Sequence, residues 1–192
     1  LASFEESDIR ESQPNRHEAG PSVPRVALNP FLNAVPLTLF LPKFFTEAVY
    51  ENVFPGDMQS KLLARTTDLG LTAVYDLLQL PGGKILGDAC IACDGPVLSV
   101  LLMSRKPLEK IETLAVDEKS HSSSALAELI LRAVYDVSPA ISRLPLEVDH
   151  QTRSEDAVLL IGDRALAHRV REKKWPFELD LGDFWNRWTG LP

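Results

Sequence analysis

The chain is short of cysteine, of clustered basic residues and of long apolar runs, and each shortage closes a class of function. Its two cysteines, Cys90 and Cys93, form one C-x-x-C inside the stretch GDACIACDGPVLSV. Structural zinc takes four ligands, and no second pair exists because His17, His121, His150 and His168 stand singly. A thioredoxin-like pair would open a helix whose dipole lowers the thiol pKa. Here Asp94-Gly95-Pro96 follows at once and blocks a helix. The two cysteines are therefore expected as half-buried strand residues, with neither a metal nor a redox role.

Lys and Arg number 20 against 27 Asp and Glu, for a net charge of −7, and no basic block occurs. That leaves no electrostatic footprint for nucleic acid or an anionic membrane surface. The most apolar region, Phe31 to Phe45, is broken by Asn33, Pro36, Pro42 and Lys43. The run from Val97 to Met103 falls well short of the ~20 apolar residues that a membrane span needs. Leu1 to Ser22 is charged, contains proline and lacks apolar periodicity, which reads as a disordered leader rather than a signal peptide. A cytoplasmic protein is expected. There are no internal repeats and no low-complexity segments.

What is present alternates short apolar runs with amphipathic ones. RVALN (Arg25 to Asn29), LGLTAV (Leu69 to Val74), VLSVLLMSR (Val97 to Arg105) and IETLAVD (Ile111 to Asp117) read as strands. DMQSKLLART (Asp57 to Thr66) reads as a helix capped by its Asp. In ALAELILRAVYDV, Leu126, Leu129, Ile130, Ala133 and Val134 recur at helical spacing, so one face is apolar and must pack on a sheet. The continuous apolar run Ala157 to Ile161 predicts a buried parallel strand, after which Gly162 turns and Asp163 caps another helix. Strand and helix in alternation predict an α/β fold with parallel sheets.

In open α/β sheets the ligand crevice lies beyond the carboxyl ends of the strands. The loops to watch therefore carry Asn33, Asp94, Gly95 and Ser99, the serines Ser120, Ser122, Ser123 and Ser124, and Gly162 with Asp163. Hydroxyls beside free N–H groups at a helix start can hold a carboxylate or phosphate, though on spacing alone the serines and Asp163 are expected as caps. Asn33, before a proline-containing turn, is expected to brace its own backbone. His121 sits between Ser120 and Ser122, but adjacent side chains rarely face each other and no G-x-S-x-G is present, which argues against a serine hydrolase.

Read together, NPFLNAVPL, DLGLTAVYDLL, CIACDGPVLSVLLMSRKPLEKI, VDEKSHSSSAL, AVLLIGD and LDLGDFWNRWTGLP resemble, in order, the chorismate dehydratase family of the futalosine route to menaquinone. D-G-P-V-x-S-V and L-G-x-x-W-x-x-x-T-G-L-P are the specific elements of the resemblance, which runs from about Val23 to the end. It implies a two-lobed fold like type II periplasmic binding proteins, with mixed sheets and flanking helices. The lobes would be residues 23–96 and 97–178, with 179–192 beginning a segment that returns to the first lobe. Family members usually continue past G-L-P, so the rest of that segment would lie beyond Pro192.

The resemblance further implies a carbon–oxygen lyase that removes water from chorismate to give 3-[(1-carboxyvinyl)oxy]benzoate. It implies no metal and no organic cofactor, and a small carboxylate, chorismate, as the substrate partner. Asn33 and Ser99 match catalytic positions, while Asp94, Gly95, Ser120, Ser122, Ser123, Gly162 and Asp163 match the ligand-lining loops. Cys93 stands where the family often has Ser or Cys, which makes the cysteine pair incidental. Ala73 and Val74 depart from the small or hydroxyl residues common there, which bears on substrate preference. The alternative from another class is a non-catalytic binding or sensing module that uses the same cleft. A sister enzyme acting on a later intermediate would need residues that the chain does not show.

Overall fold

The run Ala157–Ile161 is where the architecture starts, because all five of its residues are buried. In the computed structural model, which describes residues 23–88, 90–170 and 175–192, this strand lies inside a five-stranded sheet. The expected leader, 1–22, lies outside the described residues. In chain order the elements are β1 (Arg25–Leu28), α1 (Val35–Phe44), β2 (Val49–Asn52), α2 (Pro55–Leu63), β3 (Leu69–Gly70) and α3 (Val74–Leu77). There follow β4 (Val100–Ser104), β5 (Thr113–Asp117), α4 (Ser122–Tyr135), β6 (Ala140–Leu144), β7 (Ala157–Ile161), α5 (Gly162–Val170), β8 (Phe177–Asp180) and α6 (Leu181–Thr189).

The strands form two sheets, ordered β2-β1-β3 and β6-β5-β7-β4-β8. The first is parallel throughout. In the second, β5 pairs parallel with β6 and β7, but β4 runs antiparallel to β7 and to β8. The sheet is therefore mixed. The strand-helix alternation that predicted parallel pairing fails at β4, which enters from the irregular stretch 90–99 rather than from a crossover helix.

Alternate residues of β7 face two cores. Leu159 and Ala157 pack with Leu102, Leu114, Ile130 and Leu131 under α4, while Val158 and Leu160 pack with Leu101, Met103, Ala165 and Trp175 on the other face. Burying a side chain such as Leu159 stabilises by roughly 1.5–3 kcal/mol. The smaller sheet has a core of only Ala27, Val53 and Met58.

Several expected boundaries move for identifiable reasons. The strand expected from Val97 starts at Val100, because Leu98 has a positive φ of 63° and the N–H groups of Val97 and Leu98 donate to the Asp180 carboxylate. The strand at Leu69 keeps only two residues before the chain turns into α3. Helix α2 opens at Pro55 after Phe54, so Asp57 lies in its first turn and does not cap it. Asp163 likewise lies inside the first turn of α5. At α4 the N-cap is His121 and no side chain caps the helix, so the serines are not caps. Cys90 and Cys93 lie in an irregular loop rather than a strand, the first exposed and both unbridged.

Candidate functional site at the seam between the sheets

The registers send the working ends of many strands the same way. β5 and β7 are parallel, and antiparallel pairing puts the start of β4 and the end of β8 beside the end of β7 (Val100 opposite Ile161, Leu101 opposite Asp180). One edge of the large sheet thus gathers Ser99, Asp117 with the serine loop, Gly162 and Asp180. The loops after β1, β2 and β3 of the small sheet meet this edge.

The meeting is direct. After β1, Asn29 Oδ1 accepts the N–H of Phe31 at 2.9 Å, so it is Asn29, not Asn33, that braces the turn. The Phe31 ring packs edge-on against Phe54 with centroids 5.8 Å apart. It also lies so close to Gly162 that a Cβ there would come within 3.2 Å of the ring. Gly162 has φ +57° as well, so conformation and space both favour glycine. Its N–H donates to the Ser99 carbonyl at 2.8 Å. Asn33 lies exposed in the 3-10 turn Leu32–Ala34, which contacts α5. Phe31, Ser99 and Gly162, far apart in sequence, are thereby brought to one place, with the turn that carries Asn33 beside α5.

After β2 and β3 the contacts fall on the serine loop. A Cβ on Gly56 would come within 2.8 Å of the Lys119 backbone, and Lys119 Nζ donates to both Asp57 oxygens at 2.9 Å. Tyr75 N donates to Ser122 Oγ at 3.3 Å. His121 Nδ1 lies 2.8 Å from Asp76 Oδ1. Asp117, at the end of β5, braces the loop from behind: its Oδ1 accepts the Lys119 N–H, and Arg164 Nη1 donates to its Oδ2 at 3.1 Å. Burial pushes the Asp117 carboxyl above its ordinary range, against the lowering by the Lys119 N–H and Arg164.

Polar atoms at this seam lack partners. Thr72 Oγ1, Asp76 Oδ2 and Ser120 Oγ are buried with no hydrogen-bond partner among the described residues. Leaving such a group unpaired costs about 1–3 kcal/mol. A carboxylate oxygen suits a ligand hydroxyl, and a serine hydroxyl can donate to a ligand carboxylate. Around them Ser122 and Ser123 lie in the first turn of α4, where backbone N–H groups are unpaired within the helix and the dipole favours an anion.

Asp94 and Gly95 have contacts with α6. Asp94 accepts the Asn186 amide at 2.8 Å, and the buried Gly95 has φ +103° with its carbonyl against Gly182. Asp163 is exposed. Burial, with the charges of Asp180 and Asp94, pushes the Cys93 thiol up, the opposite of an activated nucleophile.

Sequence reasoning missed Asp180, which organises the D-G-P-V loop. Its Oδ1 accepts from Val97, Gly182 and Asp183, and its Oδ2 from Leu98 and from Arg169 Nη2 at 2.8 Å. Arg169 Nε also donates to the Leu98 carbonyl at 3.0 Å, clamping the residue with positive φ from both sides. An Asp just before L-G-D at a helix start is a readable N-cap signal, but nothing local in the sequence links it to Val97. Asp76 and Arg164 carried no signal either, because their partners are 45 and 47 positions away.

Among the described residues no group of three or more His, Cys, Asp and Glu is placed to hold a metal ion, and no helix is long and apolar enough to cross a membrane. A protein from Archaeoglobus fulgidus solved in a structural-genomics programme shares the fold, with a TM-score of 0.67 at 17% identity over 88% of this chain. The chain spans 64% of the length of that protein. An ATP phosphoribosyl transferase complex from Thermotoga maritima is more distant, with a TM-score of 0.46 at 13% identity, 86% of this chain and 90% of that one being covered. The family model described as "Menaquinone biosynthesis" matches residues 24–192. With a match of that extent, the chain belongs to the menaquinone-biosynthesis family.

Proposed function

We propose that the chain carries the chorismate dehydratase activity of its family, in a two-lobed arrangement of the type II binding-protein kind. Residues 23–96 build one lobe and 97–178 the other; of the segment 179–192, Leu179 and Asp180 pair with β4 and Leu181 joins the core under α4, so it stays with the second lobe through α6. The seam between the sheets is then the cleft. The observation that carries this reading is the family match over 24–192. The unpaired hydroxyls and carboxylate oxygen at the seam support it, because chorismate offers both carboxylates and a ring hydroxyl.

In the reaction a ring C–H bond breaks, its electron pair becomes a ring double bond, and the neighbouring C–O bond to the hydroxyl breaks. Proton and hydroxide leave as one water, and the ring becomes aromatic. That gain lowers the demand for a strong protein base, so positioning, polarisation of the leaving group and exclusion of water carry the catalysis. The start of α4, with Ser120, Ser122 and Ser123, orients a substrate carboxylate. Asn33 and Ser99 hold the ring, Gly162 allows the close approach of the Phe31 turn, and a substrate carboxylate takes the ring proton. Asp94, Gly95 and Asp163 shape the loops around the ligand.

The test is incubation of the chain with chorismate, with product followed by chromatography and ultraviolet absorbance. Appearance of 3-[(1-carboxyvinyl)oxy]benzoate, reduced in Asn33→Ala and Ser99→Ala, supports the assignment. Saturable binding without conversion would favour a binding or sensing module instead. Unchanged turnover in both variants would remove Asn33 and Ser99 from the site.

A further inference from the structure

His121 occupies a position that neither capping nor core packing explains. It is the N-cap residue of α4, yet its side chain does not cap the helix. Instead Nδ1 reaches a carboxylate 45 positions earlier, Asp76 Oδ1 at 2.8 Å, which belongs to the opposite sheet's loops. The carboxylate is 2% exposed and the imidazole 35% exposed. A carboxylate only accepts, so it takes the Nδ1 proton, and Nε2, which has no hydrogen-bond partner among the described residues, carries a second N–H when the ring is imidazolium. The second carboxylate oxygen, Asp76 Oδ2, is buried and unpaired, as is Ser120 Oγ next to the histidine in sequence. Gln59 Nε2 donates to the Asp76 carbonyl at 3.3 Å and steadies the α3 turn.

We propose that His121 is a catalytic residue of the dehydration, delivering a proton from Nε2 to the hydroxyl as it leaves, with Asp76 as the residue that positions it. The inference rests on the chorismate dehydratase reading. The C–O bond breaks with its electron pair on oxygen, the imidazolium gives that oxygen a proton, and water departs. The ring proton taken by the substrate carboxylate passes to solvent, and His121 regains a proton from solvent, so chorismate yields product and one water. The charged groups of the surrounding elements are Asp76 from α3, Lys119 from the same loop, Asp57 from α2, and Asp117 from β5. Lys119 is engaged by Asp57, and Asp117 by Arg164, which leaves Asp76 as the charge in contact with the ring.

The experiment measures kcat and KM for chorismate in the wild-type chain, His121→Gln, His121→Ala and Asp76→Asn, with circular dichroism and thermal melting as controls of folding. General acid catalysis contributes roughly 10²- to 10⁴-fold. His121→Gln, which retains a hydrogen-bonding side chain, is expected to lose about 100-fold in kcat with KM changed less than about threefold. Added imidazole is expected to restore part of the His121→Ala rate. Asp76→Asn removes the carboxylate that orients the ring, so its kcat is expected to fall, by less than in His121→Gln, with KM changed little. A folded His121→Gln with wild-type kcat, or with an effect on KM alone, overturns the proposal while the wild-type reaction leaves the function standing. A wild-type chain that forms no product overturns both.

Discussion

The five-stranded sheet carries its own core on both faces, whereas the three-stranded sheet buries little. All of β7 is buried, and so are Leu101, Leu102 and Met103 of β4. In the smaller sheet the buried apolar cluster is Ala27, Val53 and Met58, and α1 has no buried residue although Leu39, Phe40 and Phe44 are 61%, 52% and 77% exposed. Polar contacts take a larger share there: Arg25 with Asp68, and Glu51 with Lys61 and Thr67. Solvent screens such pairs, so they specify register more than they stabilise. The difference teaches that the large sheet is the well-packed platform that carries Ser99, the serine loop and Gly162, and that the small sheet presents Phe31 and Asp76 to it through a few seam contacts.

The sharpest contrast should come from truncating one leucine in each half. Leu159→Ala is expected to destabilise by about 3–4 kcal/mol, through lost burial and the cavity left in the core. Leu39→Ala, on an exposed surface of α1, should cost less than about 0.5 kcal/mol. Urea unfolding of both variants measures this, and similar losses at the two positions would break the comparison.

Two glycines sharpen it next. A Cβ on Gly182 would stand 2.8 Å from the Gly95 carbonyl oxygen and 3.0 Å from Val97 N, backbone atoms with little room to move. Gly182→Ala is expected to cost about 2–3 kcal/mol and to lower turnover, because it shifts the loop leading to Ser99. A Cβ on Gly70 would lie nearer still, 2.3 Å from Met58 Sδ, but a thioether yields, so Gly70→Ala is expected to cost only about 1 kcal/mol. The order of their melting temperatures checks this.

A last effect concerns acid and shows only at low pH. The Arg153 guanidinium, with the Ser142 hydroxyl, holds the Glu155 carboxyl down from the ordinary 4.5 to about 2. A folded-state value below the unfolded one adds stability that is fully present above 4.5 and disappears as pH falls toward 2. Glu155→Gln should flatten that part of the stability profile of the large sheet, as followed by urea midpoints from pH about 5 to about 2. An unchanged slope would remove this contribution.

Much of the large sheet was legible in local patterns. The run Ala157–Ile161 announced a fully buried strand, and the apolar spacing through Leu126, Ile130 and Val134 announced α4. What misled was local chemistry with two readings. Serines at a helix start look like caps, and at α4 none of them caps. Val97 and Leu98 look like strand, but their N–H groups belong to Asp180, 83 and 82 positions away. Strands β2, β6 and β8 escaped notice because their residues are exposed or half-buried over much of their length, so no clean apolar signal marks them.

Composition and motif order determined the α/β class, the kinship with the menaquinone-biosynthesis family and the residues worth watching, because periodicity and short motifs are properties of neighbours along the chain. Only the tertiary structure decided that β4 runs antiparallel, that Asp180 gathers the D-G-P-V loop, and that His121 meets Asp76 rather than its adjacent serines. Those outcomes depend on pairing between segments far apart in sequence, where a hydrogen bond or an ion pair forms only once two sheets have placed their loops along the same edge.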